Sequence, residues 1–470
     1  MMKQFVSQCI AWLFVVTFTV CADEPRLYSG EIQIPSIGPL EMTLGVSETD
    51  DGTYLLLTMP TQGAINIPLP VKYTKDGALS AELKQAGLEF VVFENEDFSK
   101  LTGEMHQGLV FEIDFDRVNE IAELKRPQHP TEPYPYVVRE VTSLHQDGHL
   151  LQGTLTLPNG DGPFPCAVLI SGSGQQDRDE SIMGHKPFLV IADYLTRQGI
   201  GVLRFDDRGV GGSKIKNIED LKTATSKDFA TDVEVMVQAA RMHPEINNKY
   251  VGVIGHSEGG IIGPLVAVED KKLAFVVMLA GPGVPGFELL PVQQARLLQS
   301  TSTDQELIDG VVNASMSLHE MMQGSASEDE FRSAMSELVK MQFDAQQIEV
   351  TEEIFEQAID EGIQTFQLPW MQFFLFHDPA PVLARVMCPV LAMNGTKDVQ
   401  VDSKQNLPVI ESAINNAGGD ITIVELEGLN HLFQPAATGA VGEYSQIETT
   451  FDHEALAIMS EWILEVTDND

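Results

Sequence analysis

The sequence predicts an α/β fold, a mostly parallel doubly wound sheet with helices on both faces, preceded by a small β-rich domain. Three observations predict it. From Cys166 onward, short apolar runs near Cys166–Ile170, Gly201–Phe205, Val251–Ile254 and Ala274–Leu279 alternate with helical stretches near 188–197 and 229–242. Strands that are apolar throughout belong to a sheet covered on both faces. Second, Val251-Gly-Val-Ile-Gly-His-Ser-Glu-Gly-Gly260 reads as strand, tight turn and helix, with Gly255 and Gly259 flanking Ser257. Third, apolar and polar residues alternate singly before Arg126, as in Glu31-Ile-Gln-Ile, Glu41-Met-Thr-Leu-Gly-Val and Phe111-Glu-Ile-Asp-Phe. That period belongs to half-buried strands.

The chain begins Met-Met-Lys, followed by an apolar run from about Cys9 to Val20. The run is shorter than the ~20 residues a membrane span needs. Lys3 ahead of it, and Val20 and Ala22 at its end, fit a signal peptide over 1–22, so the protein is expected to be exported, periplasmic or secreted. Without the leader no stable membrane insertion is expected. Residues 23–126 form the β-rich domain, expected as a small sheet or partial barrel, with turns at Asp51-Gly52, Met59-Pro-Thr-Gln-Gly, Asp76-Gly77 and Met105-His-Gln-Gly. Residues 127–136 continue a proline-rich stretch from Arg126 that reads as an extended linker. The α/β core spans 137–285 and resumes over 386–470. Between them, 286–385 read as a helical cap, in which Met316, Met321, Met322, Met335 and Met341 are core filler.

Asp and Glu number 69 against 29 Lys and Arg, giving a net charge of −40. Such a surface repels nucleic acid and anionic lipid. Of the four cysteines, Cys166 and Cys388 lie beyond the leader. Each sits beside a separate core strand, so both are expected as buried free thiols.

Ser257 at the apex of a G-x-S-x-G turn is a nucleophile candidate. The turn lifts the hydroxyl clear of the sheet, and the next helix aims its N-terminal amides at developing negative charge. A serine needs a base, and the base needs an orienting carboxylate. In a doubly wound sheet these stand at the C-terminal ends of later strands. Asp398 follows the apolar strand at Pro389, and His431 follows the strand at Ile421–Glu425. Asp402 reads as a helix cap, His453 as part of the closing helix, and His256 as turned away from the chemistry. An oxyanion needs two backbone amides. Glu258, after the nucleophile, supplies one, and Ser173 in the loop Ser171-Gly-Ser-Gly-Gln-Gln-Asp-Arg-Asp-Glu180 the other. In that loop Asp177, Arg178 and Asp179 pair with one another, or Arg178 meets a charged substrate group. The loop lacks the G-K-[ST] ending of a phosphate-binding loop, and no H-E-x-x-H or cysteine cluster suggests a metal.

The segments Gly255-His-Ser-Glu-Gly259, Arg204-Phe-Asp-Asp-Arg-Gly-Val-Gly-Gly-Ser213, Asn394-Gly-Thr-Lys-Asp398 and Gly428-Leu-Asn-His431 together resemble the α/β-hydrolase superfamily. The order Ser, Asp, His along the chain is the order that fold uses. The runs Leu169-Ile-Ser-Gly-Ser-Gly-Gln-Gln-Asp-Arg-Asp-Glu180 and Gly184-His-Lys-Pro-Phe188 look like a bacterial esterase group with an N-terminal β-rich domain. Weaker echoes are Pro60-Thr-Gln-Gly63 and Gly103-Glu-Met-His-Gln-Gly108. The resemblance implies a carboxylesterase with the triad Ser257, Asp398 and His431, a small-molecule ester substrate and no cofactor. The oxyanion loop departs from the superfamily, beginning Ser-Gly rather than His-Gly. The wider neighbourhood holds serine aminopeptidases similar to proline iminopeptidase, and acyl-thioester hydrolases.

Overall fold

A computed structural model describes residues 25–34, 38–49, 52–59, 64–84, 87–121, 125–299, 304–324, 326–345 and 351–468. The expected leader, with Cys9, Cys21 and the cleavage site after Ala22, lies outside the described residues, as do Asp51 and residues 60–63.

The N-terminal part is a closed barrel of eight strands: β1 (Arg26–Ile34), β2 (Gly38–Thr49), β3 (Gly52–Met59), β4 (Ala64–Tyr73), β5 (Leu79–Leu83), β6 (Leu88–Glu94), β7 (Lys100–Gln107) and β8 (Leu109–Val118). Each pairs antiparallel with the next, and β8 closes on β1 through Leu27–Val118, Tyr28–Arg117 and Ser29–Asp116. Alternation sets which side chains fill it: on β8, Ile113 and Phe115 are buried while Glu112, Asp114 and Asp116 face water. Closure removes the exposed sheet edges that an open meander would leave. Eight strands also enclose an interior that side chains such as Tyr28, Met42, Leu55, Phe90 and Phe115 can fill. Gly30 makes room for one of them, since a Cβ there would lie 2.3 Å from the Phe115 ring. One expected turn is displaced: Met105, His106 and Gln107 continue β7, and the chain reverses at Gly108, where φ is +68°.

The second sheet has the order β16-β15-β14-β13-β11-β12-β10-β9. Its strands are β9 (Val137–Leu144), β10 (Leu150–Leu157), β11 (Phe164–Ile170), β12 (Gly201–Phe205), β13 (Ile246–His256), β14 (Val276–Leu279), β15 (Val390–Gly395) and β16 (Ile421–Leu426). The pairs β9–β10 and β10–β12 are antiparallel, and the rest are parallel. Residues along β11 alternate between two cores. Cys166, Val168 and Ile170 face α3 (Ser226–Met242), α4 (Gly259–Glu269) and α11 (Ser403–Asn416), whereas Ala167 and Leu169 face α1 (Pro187–Arg197) and α12 (His453–Thr467). A short helix, α2 (Glu219–Thr223), lies between β12 and α3. Cys166 and Cys388 are free thiols as expected, but only Cys166 is fully buried and Cys388 is half-buried; burial pushes them up to about 12 and about 11.

Between β14 and β15 the chain is helical: α5 (Gly286–Gln299), α6 (Gln305–Gln323), α7 (Glu328–Ala345), α8 (Glu352–Gln367), α9 (Pro369–Phe376) and α10 (Ala380–Leu383). Helices α5 to α9 share a core around Leu318, Met335, Phe366 and Met371, joined by Ile261 of α4, whereas Leu383 of α10 packs in the core on the α3 face of the sheet. Met335 is core filler as expected, and Met322 and Met341 pack at its margin, but Met316 is 46% exposed. The proline-rich stretch after Arg126 is tied down. Arg126 donates to the carbonyls of Met183 and Ser445, and Gln128 brackets the backbone of Thr450 and Phe451. Prolines withdraw backbone donors, so side chains make these contacts.

Candidate active site

The site is built around the end of β13. Ser257 has φ +54°, a left-handed conformation that costs a non-glycine residue ~1–3 kcal/mol and persists only where the surroundings enforce it. Here Ser257 N donates to Leu279 O at 2.8 Å, and Gly260 N to Ser257 O at 2.8 Å. The flanking glycines are required by space. A Cβ on Gly255 would lie 2.0 Å from Gly259 O, and one on Gly259 2.3 Å from Ile170 O.

Asp398 and His431 come together from the ends of β15 and β16. His431 Nδ1 lies 2.8 Å from Asp398 Oδ2. A carboxylate only accepts, so the proton sits on Nδ1 and Nε2 is left as the basic nitrogen. Asp398 Oδ1 is held by the amides of Gln400 and Val401 at 2.8 and 2.9 Å. The His431 loop is fixed by Asn430, which is fully buried and accepts from the amides of Leu432 and Gln434. Among the described residues no hydrogen bond joins Ser257 Oγ to His431. Such bonds are commonly long in a ligand-free enzyme and tighten when substrate binds.

His256, expected to face away from the chemistry, lies within it. Its Nε2 donates to the His431 carbonyl at 3.0 Å, its Nδ1 donates to Glu180 Oε1 at 2.9 Å, and its ring centroid is 4.8 Å from that of His431. Both ring nitrogens face acceptor oxygens, which favours the imidazolium form. Burial, the largest single influence, works against that charge, but Glu180, the His431 carbonyl and Asp398 together outweigh it and raise the pKa. Glu180 Oε1 also accepts from Gly172 N at 2.8 Å. One carboxylate thus ties the loop after β11 to the loop after β16. Glu180 carries its own signal in the structure, a φ of +52°. In the sequence the only signal for His256 is its place inside the elbow.

Asp177, Arg178 and Asp179 do not pair with one another as ions. Arg178 forks onto Asp206 at 3.0 and 2.7 Å and reaches Glu140, while Asp179 binds Arg204 and Lys186. Arg178 therefore anchors the loop. Asp402 caps α11 through Gln405 N, and His453 opens α12 with its ring edge-on to Tyr194.

The amides nominated for the oxyanion, Glu258 and Ser173, make no backbone hydrogen bond among the described residues, whereas that of Gly172 is taken by Glu180. The Glu258 side chain turns away from solvent. Its Oε1 accepts from Ser226 Oγ at 2.6 Å and from Trp370 Nε1 of α9 at 2.8 Å. Burial raises its pKa, and hydrogen bonds from Ser226, Trp370 and Ser173 oppose the rise. Beneath the loop, Asp207 accepts from Ser171 Oγ and Gln176 N at 2.8 Å each, and burial pushes its pKa up to about 8.

The sequence model of the serine aminopeptidase family, S33, matches residues 186–360, which include Ser257 but neither Asp398 nor His431. The esterase EstD of Thermotoga maritima is 28% identical over 284 residues, 60% of this chain and 58% of that protein. The elbow and the strand order give the chain an α/β-hydrolase fold. It resembles bacterial esterases, and it spans less than two thirds of EstD's length. Among solved structures, the proline iminopeptidase of Mycobacterium smegmatis aligns at 16% identity and a TM-score of 0.41, over 71% of this chain and all of that one. The Pyrococcus furiosus esterase Pf2001 aligns at 15% and 0.40, over 70% and 92%. Likenesses this loose bear no weight here.

Proposed function

We propose that the protein is a serine carboxylesterase that cleaves small or medium acyl esters through an acyl-enzyme. Ser257 Oγ attacks the ester carbonyl, and His431 Nε2 takes its proton. The tetrahedral oxyanion is held by the amides of Glu258 and Ser173. On collapse, His431 returns the proton to the leaving alcohol. Water then repeats the sequence on the acyl-Ser257 ester and releases the acid. Asp398 keeps the Nδ1–H tautomer and stabilises the imidazolium. Every bond change is between enzyme, ester and water. The observation that carries this reading is the 2.8 Å His431–Asp398 bond at successive strand ends beside a left-handed serine. The helices of 286–385 act as the cap over the acyl side, and the leader directs export.

A serine aminopeptidase is the second reading, favoured by the family match over 186–360. It needs a carboxylate free to meet the substrate's α-amine. Glu258, adjacent to the nucleophile, is already occupied by Ser226 and Trp370, which supports the esterase. The test sets p-nitrophenyl acyl esters against aminoacyl anilides, with fluorophosphonate labelling of the wild type and Ser257→Ala. Ester turnover is expected, with kcat falling by roughly 10⁴–10⁶ in Ser257→Ala. Turnover of the anilides alone would transfer the protein to the peptidases. Labelling that survives the substitution would remove Ser257 as nucleophile.

A further inference from the structure

The hairpin between β9 and β10 carries His145-Gln-Asp-Gly-His149, which ester hydrolysis does not use. Both imidazoles are 2% exposed, and the Asp147 side chain stands in solvent. The turn is tight: His145 N donates to His149 O and Gly148 N to His145 O, each at 2.9 Å, and Gly148 has φ +91°. The two rings stack at 5.6 Å.

Their protonation can be worked out from neighbours. The Thr231 hydroxyl of α3 donates to Asp228 O at 2.6 Å, so its oxygen accepts from His145 Nε2 at 3.0 Å. That puts the proton on Nε2 and leaves Nδ1 as an acceptor, which takes the Asp147 amide N–H at 3.2 Å and lies 3.5 Å from Asp147 Oδ2. The ring is thus held in the tautomer that metal-bound imidazoles adopt, and a metal at Nδ1 would displace the amide contact. Across the turn, His149 Nδ1 is buried with no hydrogen-bond partner. Leaving such an atom unpaired is unfavourable. One ligand atom from each of His145, Asp147 and His149 lies within 4.8 Å of the others. Asp232 Oδ1 is also buried and unpaired, and its carboxylate interacts electrostatically with both imidazoles.

We propose that His145, Asp147 and His149 bind a divalent transition-metal ion, zinc by preference. Two imidazoles and a carboxylate suit zinc in tetrahedral geometry, with water completing the set, whereas magnesium and calcium favour all-oxygen sites. The ion acts as a clip. Two strands, β11 and β12, separate β10 from the nucleophile strand β13, a lateral offset of roughly 14 Å at ~4.8 Å per strand. It therefore takes no part in the ester chemistry, but fixes the hairpin against α3.

The test uses the full chain without an affinity tag, stripped with chelator and titrated with Zn²⁺ by calorimetry, with Co²⁺ as the spectroscopic probe. One equivalent of Zn²⁺ is expected, with a dissociation constant of about 1 µM or tighter. Visible d–d bands should appear with Co²⁺, and Tm should rise on loading. Asp147→Ala, on the surface and harmless to folding, should weaken binding by about tenfold or more, and His149→Ala should abolish it. Substoichiometric binding, or unchanged affinity in Asp147→Ala, would overturn the proposal. The ester activity of both variants should stay at the wild-type level, so failure here is separate from failure of the esterase reading.

Discussion

Glu180→Ala tests whether one buried carboxylate holds the two halves of the site together. The residue accepts from Gly172 N and His256 Nδ1, and His256 in turn holds the His431 carbonyl. Each hydrogen bond to a charged group contributes about 1.5–3 kcal/mol, so removing two puts about 3–6 kcal/mol at stake, divided between fold stability and site geometry. Loss of a single oxyanion donor elsewhere lowers kcat by about 10²–10³. A fall in kcat of about 10² with little change in KM is therefore expected. Glu180→Gln keeps an acceptor oxygen and removes the charge, and should recover much of the loss. The pH dependence of stability gives a second readout. His256 is raised by Glu180 against the opposing effect of burial. Its contribution is thus complete below the usual histidine pKa and disappears as pH rises through the folded value. That step should shift to lower pH and shrink in Glu180→Ala, where only the His431 carbonyl and Asp398 still oppose burial. Initial rates on a p-nitrophenyl ester from pH 5 to 9, with thermal melts at each pH, measure both. A variant that melts like the wild type and keeps kcat within about threefold would show that the two loops hold their positions independently.

Gly255→Ala should abolish activity and lower Tm, because the new methyl meets backbone at 2.0 Å and the elbow cannot yield without moving Gly259; a soluble, fully active variant would refute the described turn. Asp207, pushed up to about 8 by burial, binds a proton in the folded state that the unfolded chain releases near pH 4. Stability should therefore fall as pH rises from about 4 to about 8, and Asp207→Asn should flatten that slope in urea denaturation; an unchanged slope would mean the carboxyl is ionised in place.

Much of the site could be read from the sequence because its parts have local signatures. The elbow needs glycines at fixed spacing, and Asp398 and His431 each follow an apolar strand. The double-sided sheet is equally local, since its strands announce themselves by being apolar throughout. What escaped depends on pairing across long stretches of chain. Closure of the barrel rests on β1 meeting β8, a contact no alternating pattern specifies. The docking of the Arg126 stretch depends on carbonyls at Ser445 and Phe451. Nothing local marks His256 as part of the site, because its partners lie 76 and 175 residues away.

The same long-range contacts explain why the loop after β11 is so heavily charged. In the proposed mechanism the Ser173 amide must remain open to an oxyanion, so the backbone cannot stabilise that stretch by pairing it. Side chains supply the missing restraint: Asp207 holds Ser171 and Gln176, Glu180 holds Gly172, and Arg178 is forked onto Asp206. A loop anchored only at its neighbours can keep the Ser173 amide unpaired without collapsing onto it. Preorganised donors of this kind need no rearrangement when charge develops, which is what the proposed mechanism asks of this loop.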